Sequence, residues 1–125
     1  MIVDPSALLA VVFAESDGEE LAAAPIARMS SAGYVEASIR LDQLMGGMDS
    51  RLDQLIELMG IVVEPVTFGQ AKIARAAYLM YGKGNHPAKL NYGDCFSYAL
   101  AKVTGEPLLF KGNDFSQTDI VCASS

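Results

Sequence analysis

Short apolar runs alternate along the chain with longer stretches whose apolar residues recur at helical spacing. The chain opens with the run "MIVD", which ends in an acid, and later contains "IVVEPV" at 61–66 and "EPLLF" at 106–110. Short apolar runs such as these predict buried strands, and "IVVEPV" is also β-branched. We expect a further strand near residues 27–30 and a last one in "IVCA" at 120–123.

The stretches between these runs predict helices. Asp17, Ser50 and Asp94 are suitable N-caps, and Gly46 and Gly60 are suitable stops. Apolar residues at intervals of three and four support the four later helices, whereas the first is a continuous apolar stretch and the second is marked by early glutamates and a terminating proline. The predicted helices cover 5–16, 17–25, 31–45, 50–60, 67–82 and 94–105.

Strands that alternate with helices throughout imply parallel β-α-β units. We therefore predict an α/β fold: a single three-layer sandwich over residues 1–125, with a central, mainly parallel sheet of four to five strands flanked by helices. One apolar stripe is expected to pack in the core or to form a dimer surface, and it consists of Leu52, Leu55, Ile56 and Met59.

Composition supports one globular unit. The 125 residues are 51% hydrophobic and 19% charged, which is too apolar for disorder, and the chain has no uncharged run of about 18 residues that would span a bilayer. The opening residues lack the basic start of a secretory signal, and a chain with only two cysteines suits a reducing compartment. We expect a cytoplasmic protein without membrane association.

The net charge bears on function. At −6, it argues against broad electrostatic adhesion to nucleic acid. It does not exclude an enzyme that acts on nucleic acid, because a cluster of acids that holds a divalent ion makes the chain acidic without repelling the substrate of the loaded site.

Four acids are placed to meet at one edge of the sheet. Asp4 ends the first predicted strand, Asp114 follows the strand in "PLLF", and Asp94 begins a helix that should face the same edge. Glu36 joins them if its helix starts near that edge. Ligands of open α/β sheets bind at the carboxyl ends of the strands, so these four acids are the candidate site.

Each acid also has a simpler explanation. Asp94 suits a helix N-cap, Asp114 suits an Asx turn, and Glu36 can pair with Arg40 one turn later. Asp4 is the hardest to explain in this way, because a charge that closes a buried strand has no local backbone role. The shared position of the four is more informative than any one of them.

Carboxylates gathered this closely must take up protons or hold a cation. Mg²⁺ or Mn²⁺ suits such oxygen ligands. Zinc is disfavoured, because His86 is the one histidine and both cysteines have apolar neighbours. The segment "YGKGNHP" around His86 is either a phosphate contact or a plain exposed loop.

Four segments, in this order and spacing, resemble the PIN-domain ribonucleases, in particular the VapC-type toxins of bacterial toxin-antitoxin pairs. They are "MIVDPSALLAVV", "MSSAGYVEASI", "YGKGNHPAKLNYGDCFSYALAK" and "GEPLLFKGNDFSQTDI". The resemblance implies that Ser6 orients Asp4 or a water and that Asp119 has a supporting role. It implies metal ligands at Asp4, Asp94 and Asp114, and catalytic acids at Asp4, Glu36, Asp94 and Asp114.

The resemblance also implies a function and partners. It implies Mg²⁺- or Mn²⁺-dependent hydrolysis of phosphodiester bonds in tRNA or ribosomal RNA, and inhibition of translation until a VapB-type antitoxin neutralises the toxin. A homodimer and a toxin-antitoxin hetero-oligomer are expected. The two amphipathic helices between Tyr34 and Met59 are the candidates for gripping the antitoxin.

Pro5 departs from the family's pattern, in which threonine or serine usually follows the first acid. Proline removes a backbone donor near the site but suits the first turn of a helix, so we expect the fold to be kept. Two other functions are open: a PIN-like binding module that has lost activity, and a phosphoacceptor receiver domain. The four retained acids disfavour the first, and the absence of a second acid beside Asp4 disfavours the second.

Overall fold

The strands of the sheet are all short and all parallel. In the computed structural model, which describes residues 1–14 and 18–123, they are β1 (Ile2–Val3), β2 (Arg28–Ser30), β3 (Val62–Glu64) and β4 (Leu108–Leu109). Within that part of the chain they form a four-stranded sheet in the order β3-β2-β1-β4. The predicted strand in "IVCA" is reduced to one parallel bridge between Leu108 and Cys122.

Six helices connect and flank these strands in the described residues. They are α1 (Pro5–Val12), α2 (Gly18–Ala23), α3 (Ser31–Met45), α4 (Arg51–Met59), α5 (Phe68–Tyr81) and α6 (Asp94–Thr104). The predicted N-cap Asp17 and the predicted end of the first helix at residues 15–16 lie outside the described residues. Gly46 and Gly60 end α3 and α4 in the left-handed conformation, which confirms both predicted stops.

Of two predicted caps, Ser50 is confirmed in position but makes no capping bond, and Asp94 was wrong. Ser50 stands at the N-cap of α4, but its hydroxyl accepts a hydrogen bond from Gln54 Nε2, and Asp49 accepts the one from the Arg51 N–H. At α6 the N-cap is Gly93, and Asp94 is the first helical residue. The carboxylate of Asp94 is therefore available for something other than capping its own helix.

The two faces of the sheet carry two separate cores. Ile2 and Leu108 point into one core, which includes Leu100 of α6 and is completed by α5. Val3 and Leu109 point into the other core, where side chains from α1, α2, α3 and α4 pack. Alternate residues of a strand face opposite sides, so even two-residue strands supply both cores. This arrangement confirms the predicted three-layer α/β sandwich.

The apolar stripes of α3 and α4 behave differently. Leu52 is buried, and Leu55, Ile56 and Met59 pack partly buried against the same core, so the α4 stripe serves the core. On α3, Leu41 is fully buried, whereas Val35, Ile39 and Leu44 are more than half exposed. In the part of the chain that the structure describes, no helix is long and apolar enough to cross a membrane.

Candidate active site

Asp4 lies where β1 ends and α1 begins. Its Oδ2 accepts hydrogen bonds from the Ser6 N–H at 3.0 Å and from Ser6 Oγ at 2.6 Å, so Asp4 is the N-cap of α1. The expectation that Asp4 has no local backbone role was therefore wrong. Pro5 occupies the first turn of α1, as predicted, where its missing N–H has no helical partner to lose.

Two other segments also meet at Asp4. Ser97 of α6 donates from its Oγ to Asp4 Oδ1 at 2.6 Å, and the Lys111 N–H beyond β4 donates to Ser6 Oγ at 3.0 Å. The Asp4 residue is only 4% exposed. Asp4 and Ser6 at the start of α1 are thus hydrogen-bonded to the second turn of α6 and to the chain that follows β4.

Asp94 is fixed by the loop before α6. The Asp94 N–H donates to Asn91 Oδ1 at 2.9 Å, and the Asn91 N–H donates to Asp94 Oδ2 at 3.0 Å. This reciprocal pair orients the carboxylate at the first turn of α6, where the helix dipole favours negative charge. Asp94 is 7% exposed.

Glu36 reaches the same region from the second turn of α3. Its carboxylate lies directly on the backbone of Gly93: a Cβ added to Gly93 would stand 1.7 Å from Glu36 Oε1. The absence of a side chain at residue 93 is what allows this approach. The ion pairs of the described residues do not include the predicted one between Glu36 and Arg40, although both residues line the same cavity.

Asp114 is held in place by its neighbour in the turn after β4. Phe115 is buried, and its ring meets the Phe110 ring edge-on with centroids 5.1 Å apart. Asp114 itself stays exposed and lines the cavity that Asp4 closes.

The structure brings five of the six predicted site residues into one cavity of about 380 Å³. Asp119 is not among the lining residues; it accepts a hydrogen bond from Tyr98 Oη at 2.7 Å and forms an ion pair with Lys102 at 2.5 Å. Arg40 and Lys111 add positive charge to the wall. The predicted residues that line the cavity are Asp4, Ser6, Glu36, Asp94 and Asp114.

A model of the PIN domain matches residues 1–121 of the chain. Ribonuclease VapC28 of Mycobacterium tuberculosis is 52% identical over 126 residues, which cover 96% of this chain and 95% of that protein. The chain belongs to the PIN-domain family. Its similarity to VapC28 along almost the whole length of both proteins places it among the VapC-type members.

Solved structures agree with this PIN fold. VapC20 of M. tuberculosis, described as a sarcin-ricin loop cleaving toxin, superposes with a TM-score of 0.73 at 17% identity, covering 96% of this chain and 95% of that one. A chain of a toxin-antitoxin complex from Klebsiella pneumoniae gives a TM-score of 0.66 at 16% identity, with coverages of 94% and 92%. At these identities the likeness establishes the fold.

The acids of this PIN cavity raise one another's pKa. Burial raises the pKa of Asp94 to about 7, the Asn91 N–H opposes this, and the charges of Asp4, Asp114 and Glu36 add to it. Burial also raises the pKa of Asp4, against the hydrogen bonds from Ser6 and Ser97. The Glu36 residue is exposed overall, but its carboxylate is partly buried in the cavity. This burial raises the pKa of Glu36, and the charge of Asp4 raises it further. The charge of Arg40 opposes this rise at Glu36.

The donor chemistry fits a hard divalent ion better than a soft one. The carboxylates supply oxygen, whereas His86 Nδ1 accepts a hydrogen bond from the Ala88 N–H, and burial raises the pKa of the Cys95 thiol to about 11. Among the described residues, no three His, Cys, Asp or Glu side chains stand close enough to form a complete ligand group. Mg²⁺ needs no such group, because it keeps several waters and binds through one or two carboxylates.

Ser97 is the residue that the sequence reasoning missed: it does not line the cavity, but its hydroxyl holds Asp4 from behind it. It stands in a run that otherwise looks like core, "CFSYALA", and nothing local marks it. Its spacing of three residues from Asp94 places both on one face of α6. That spacing was the one available signal.

Proposed function

We propose that this chain is a metal-dependent endoribonuclease toxin of a VapBC-type toxin-antitoxin pair. The observation that carries the proposal is the gathering of Asp4, Glu36, Asp94 and Asp114 around one cavity, with the pKa of three of them raised. Close carboxylates resist ionisation unless a cation joins them. A bound Mg²⁺ or Mn²⁺ therefore explains why all four are present.

Each acid then has a role. Asp4, Asp94 and Asp114 would hold the ion, one or two of them directly and the rest through its bound waters, and Ser6 fixes Asp4 through two hydrogen bonds to Oδ2. When bound, a divalent ion supplies a Lewis acid that lowers the pKa of water and neutralises charge on a phosphodiester. Glu36, whose raised pKa suits a general base, orients the attacking water and accepts its proton.

Positive side chains of the cavity wall bind the RNA. Arg40 and Lys111 line the cavity beside the acids, so phosphates on either side of the scissile bond meet cations although the whole chain is acidic. We propose tRNA or ribosomal RNA as the substrate class, with inhibition of translation as the consequence of cleavage.

Exposed apolar side chains supply the protein contacts. The ends of α3 and α4 and the segment between the two helices expose Leu44, Met45, Met48 and Leu58, and we propose that the antitoxin covers them. Leu44 also lines the acidic cavity, so a segment bound there lies next to the acids.

We propose that two copies pair through the groove of Val35, Ile39 and Tyr92, and that residues 1–125 form one domain working in the cytoplasm.

Cleavage of total RNA tests the function. The purified chain should cut RNA with Mg²⁺ or Mn²⁺ and stop cutting when EDTA is added. Asp4→Asn and Asp94→Asn should lower the rate by at least ~10²-fold and relieve growth arrest while leaving the chain folded. Asp42→Asn is the matched control, because it changes an exposed carboxylate on the same helix as Glu36.

Three results would count against the proposal. Asp4→Asn and Asp94→Asn that cut as fast as the parent would show that the acids are not the site. Cleavage that persists in EDTA would show that the reaction does not depend on a divalent metal ion. RNA binding without cleavage would favour the inactive binding module.

A further inference from the structure

We propose that Ser97 is a positioning residue of the acidic cavity: its hydroxyl orients Oδ1 of Asp4, the oxygen that keeps an acceptor position for the ion, and sets the distance between Asp4 and Asp94. The proposal rests on the metal-dependent function proposed above.

The buried position of Ser97 requires an explanation. The residue is 2% exposed, and most of the other buried residues of α6 are apolar, including Cys95, Ala99 and Leu100. Alanine would fill such a position without the cost of burying a hydroxyl. Ser97 instead donates to Asp4 Oδ1 across 93 positions of sequence, at 2.6 Å. Its one evident task is to bind that carboxylate.

Counting acceptor sites shows which oxygen of Asp4 this bond controls. An ionised carboxylate offers about two acceptor positions on each oxygen. The two hydrogen bonds from Ser6 fill Oδ2, and the bond from Ser97 takes one position on Oδ1. The remaining acceptor position lies on Oδ1. Without Ser97, the two bonds from Ser6 would still hold Oδ2 of Asp4, but the carboxylate plane could rotate about Oδ2 and move Oδ1.

The same helix carries the second acid. Asp94 and Ser97 are three residues apart on α6, so they share a face one turn apart. The Ser97–Asp4 bond therefore pins the end of β1 to a point of α6 next to Asp94. An ion shared by Asp4 and Asp94 depends on that separation, and groups that orient metal ligands typically contribute 10- to 100-fold in metal affinity or activity.

The test is a Mn²⁺ titration of the full chain by calorimetry, with RNA cleavage measured in parallel. Ser97→Ala should raise the Kd for Mn²⁺ by about 10-fold, and raised Mn²⁺ should restore its cleavage. Ser97→Cys, which keeps the size but donates weakly, should behave like Ser97→Ala. Ser97→Thr keeps the hydroxyl and should stay within about 3-fold of the parent.

A matched serine controls for the loss of a hydroxyl. Ser38 of α3 is also shielded from solvent, and in the described residues its hydroxyl bonds none of the four acids. Ser38→Ala should bind Mn²⁺ like the parent. Unfolding curves in EDTA establish that each variant is folded before its Kd is compared.

Several outcomes would overturn the role of Ser97. They are a Ser97→Ala variant that binds Mn²⁺ within 2-fold of the parent, a Ser97→Cys variant that binds as tightly as the parent, and a parent that binds no Mn²⁺. Failure of the proposed function is a separate result. A parent that binds Mn²⁺ but cuts no RNA contradicts the ribonuclease, and the comparison of the serine variants still decides the positioning role.

Discussion

Replacing Asp94 with asparagine should stabilise the metal-free protein, and the gain should grow as the pH rises. In the folded chain the pKa of Asp94 is raised to about 7 from 3.8. The folded form therefore holds its proton more tightly than the unfolded form. Between these two values unfolding releases a proton, so the free energy of unfolding falls as the pH increases, and above about 7 the loss is complete. An asparagine side chain does not ionise, so the variant has no such penalty.

The size of the effect follows from linkage. For a fully buried group with these two pKa values, the difference in unfolding free energy between pH 5 and pH 8 is about 2.6 kcal/mol. The cavity is open to solvent at its mouth, which screens the charge, so we expect about half of this, ~1.3 kcal/mol. For a chain of this length that corresponds to about 4 °C in Tm. The asparagine oxygen can still accept the hydrogen bond from the Asn91 N–H, so little packing is lost.

Urea unfolding in EDTA at pH 5, 6, 7 and 8 measures this difference directly. The unfolding free energy of Asp94→Asn minus that of the parent should rise with pH. The same difference for Asp42→Asn should not change with pH. Adding Mn²⁺ at pH 8 should stabilise the parent more than the variant, because only the parent gains the full ligand set. A difference between Asp94→Asn and parent that does not change with pH would refute the reasoning.

Three further predictions concern other contacts. Gly93→Ala should slow RNA cleavage by about 10-fold, because its Cβ displaces the Glu36 carboxylate. The unfolding free energy of this variant should be unchanged or raised by ~0.5 kcal/mol, since the backbone of residue 93 suits alanine. Full activity would show that Glu36 takes no part in the reaction. Asp119→Asn should lower the unfolding free energy by about 1 kcal/mol through its bonds to Tyr98 and Lys102 while leaving the cleavage rate unchanged. A slower rate would instead support the predicted role of Asp119 at the site. Val35→Lys should convert the proposed dimer to a monomer in sedimentation equilibrium, because it puts a charge into the apolar groove, and a monomeric parent would contradict the proposed dimer.

Much of the fold could be predicted because its signals are local. The glycines that end α3 and α4 and the apolar spacing within each helix act over a few residues, so they can be seen in the chain itself. The signals for caps at Ser50 and Asp94 were local too, but there several polar residues compete for the same N–H groups, and their order along the chain does not decide which one bonds. The prediction of a last strand in "IVCA" was wrong for another reason: in the described residues, that segment pairs with β4 through a single bridge, between Leu108 and Cys122.

The sequence by itself determined which acids would meet, because the carboxyl ends of parallel strands lie on one edge of the sheet whatever the details of packing. Asp4 and Asp114 follow from that rule. Only the tertiary structure decided how the acids are held: that Ser97 binds Asp4, that the bare backbone of Gly93 receives Glu36, and that Asp119 turns away to Tyr98. Helical periodicity tells which residues share a face, but not which distant group that face will meet. That contact depends on distances of a few ångströms between elements far apart in sequence, and these exist only once the layers have packed.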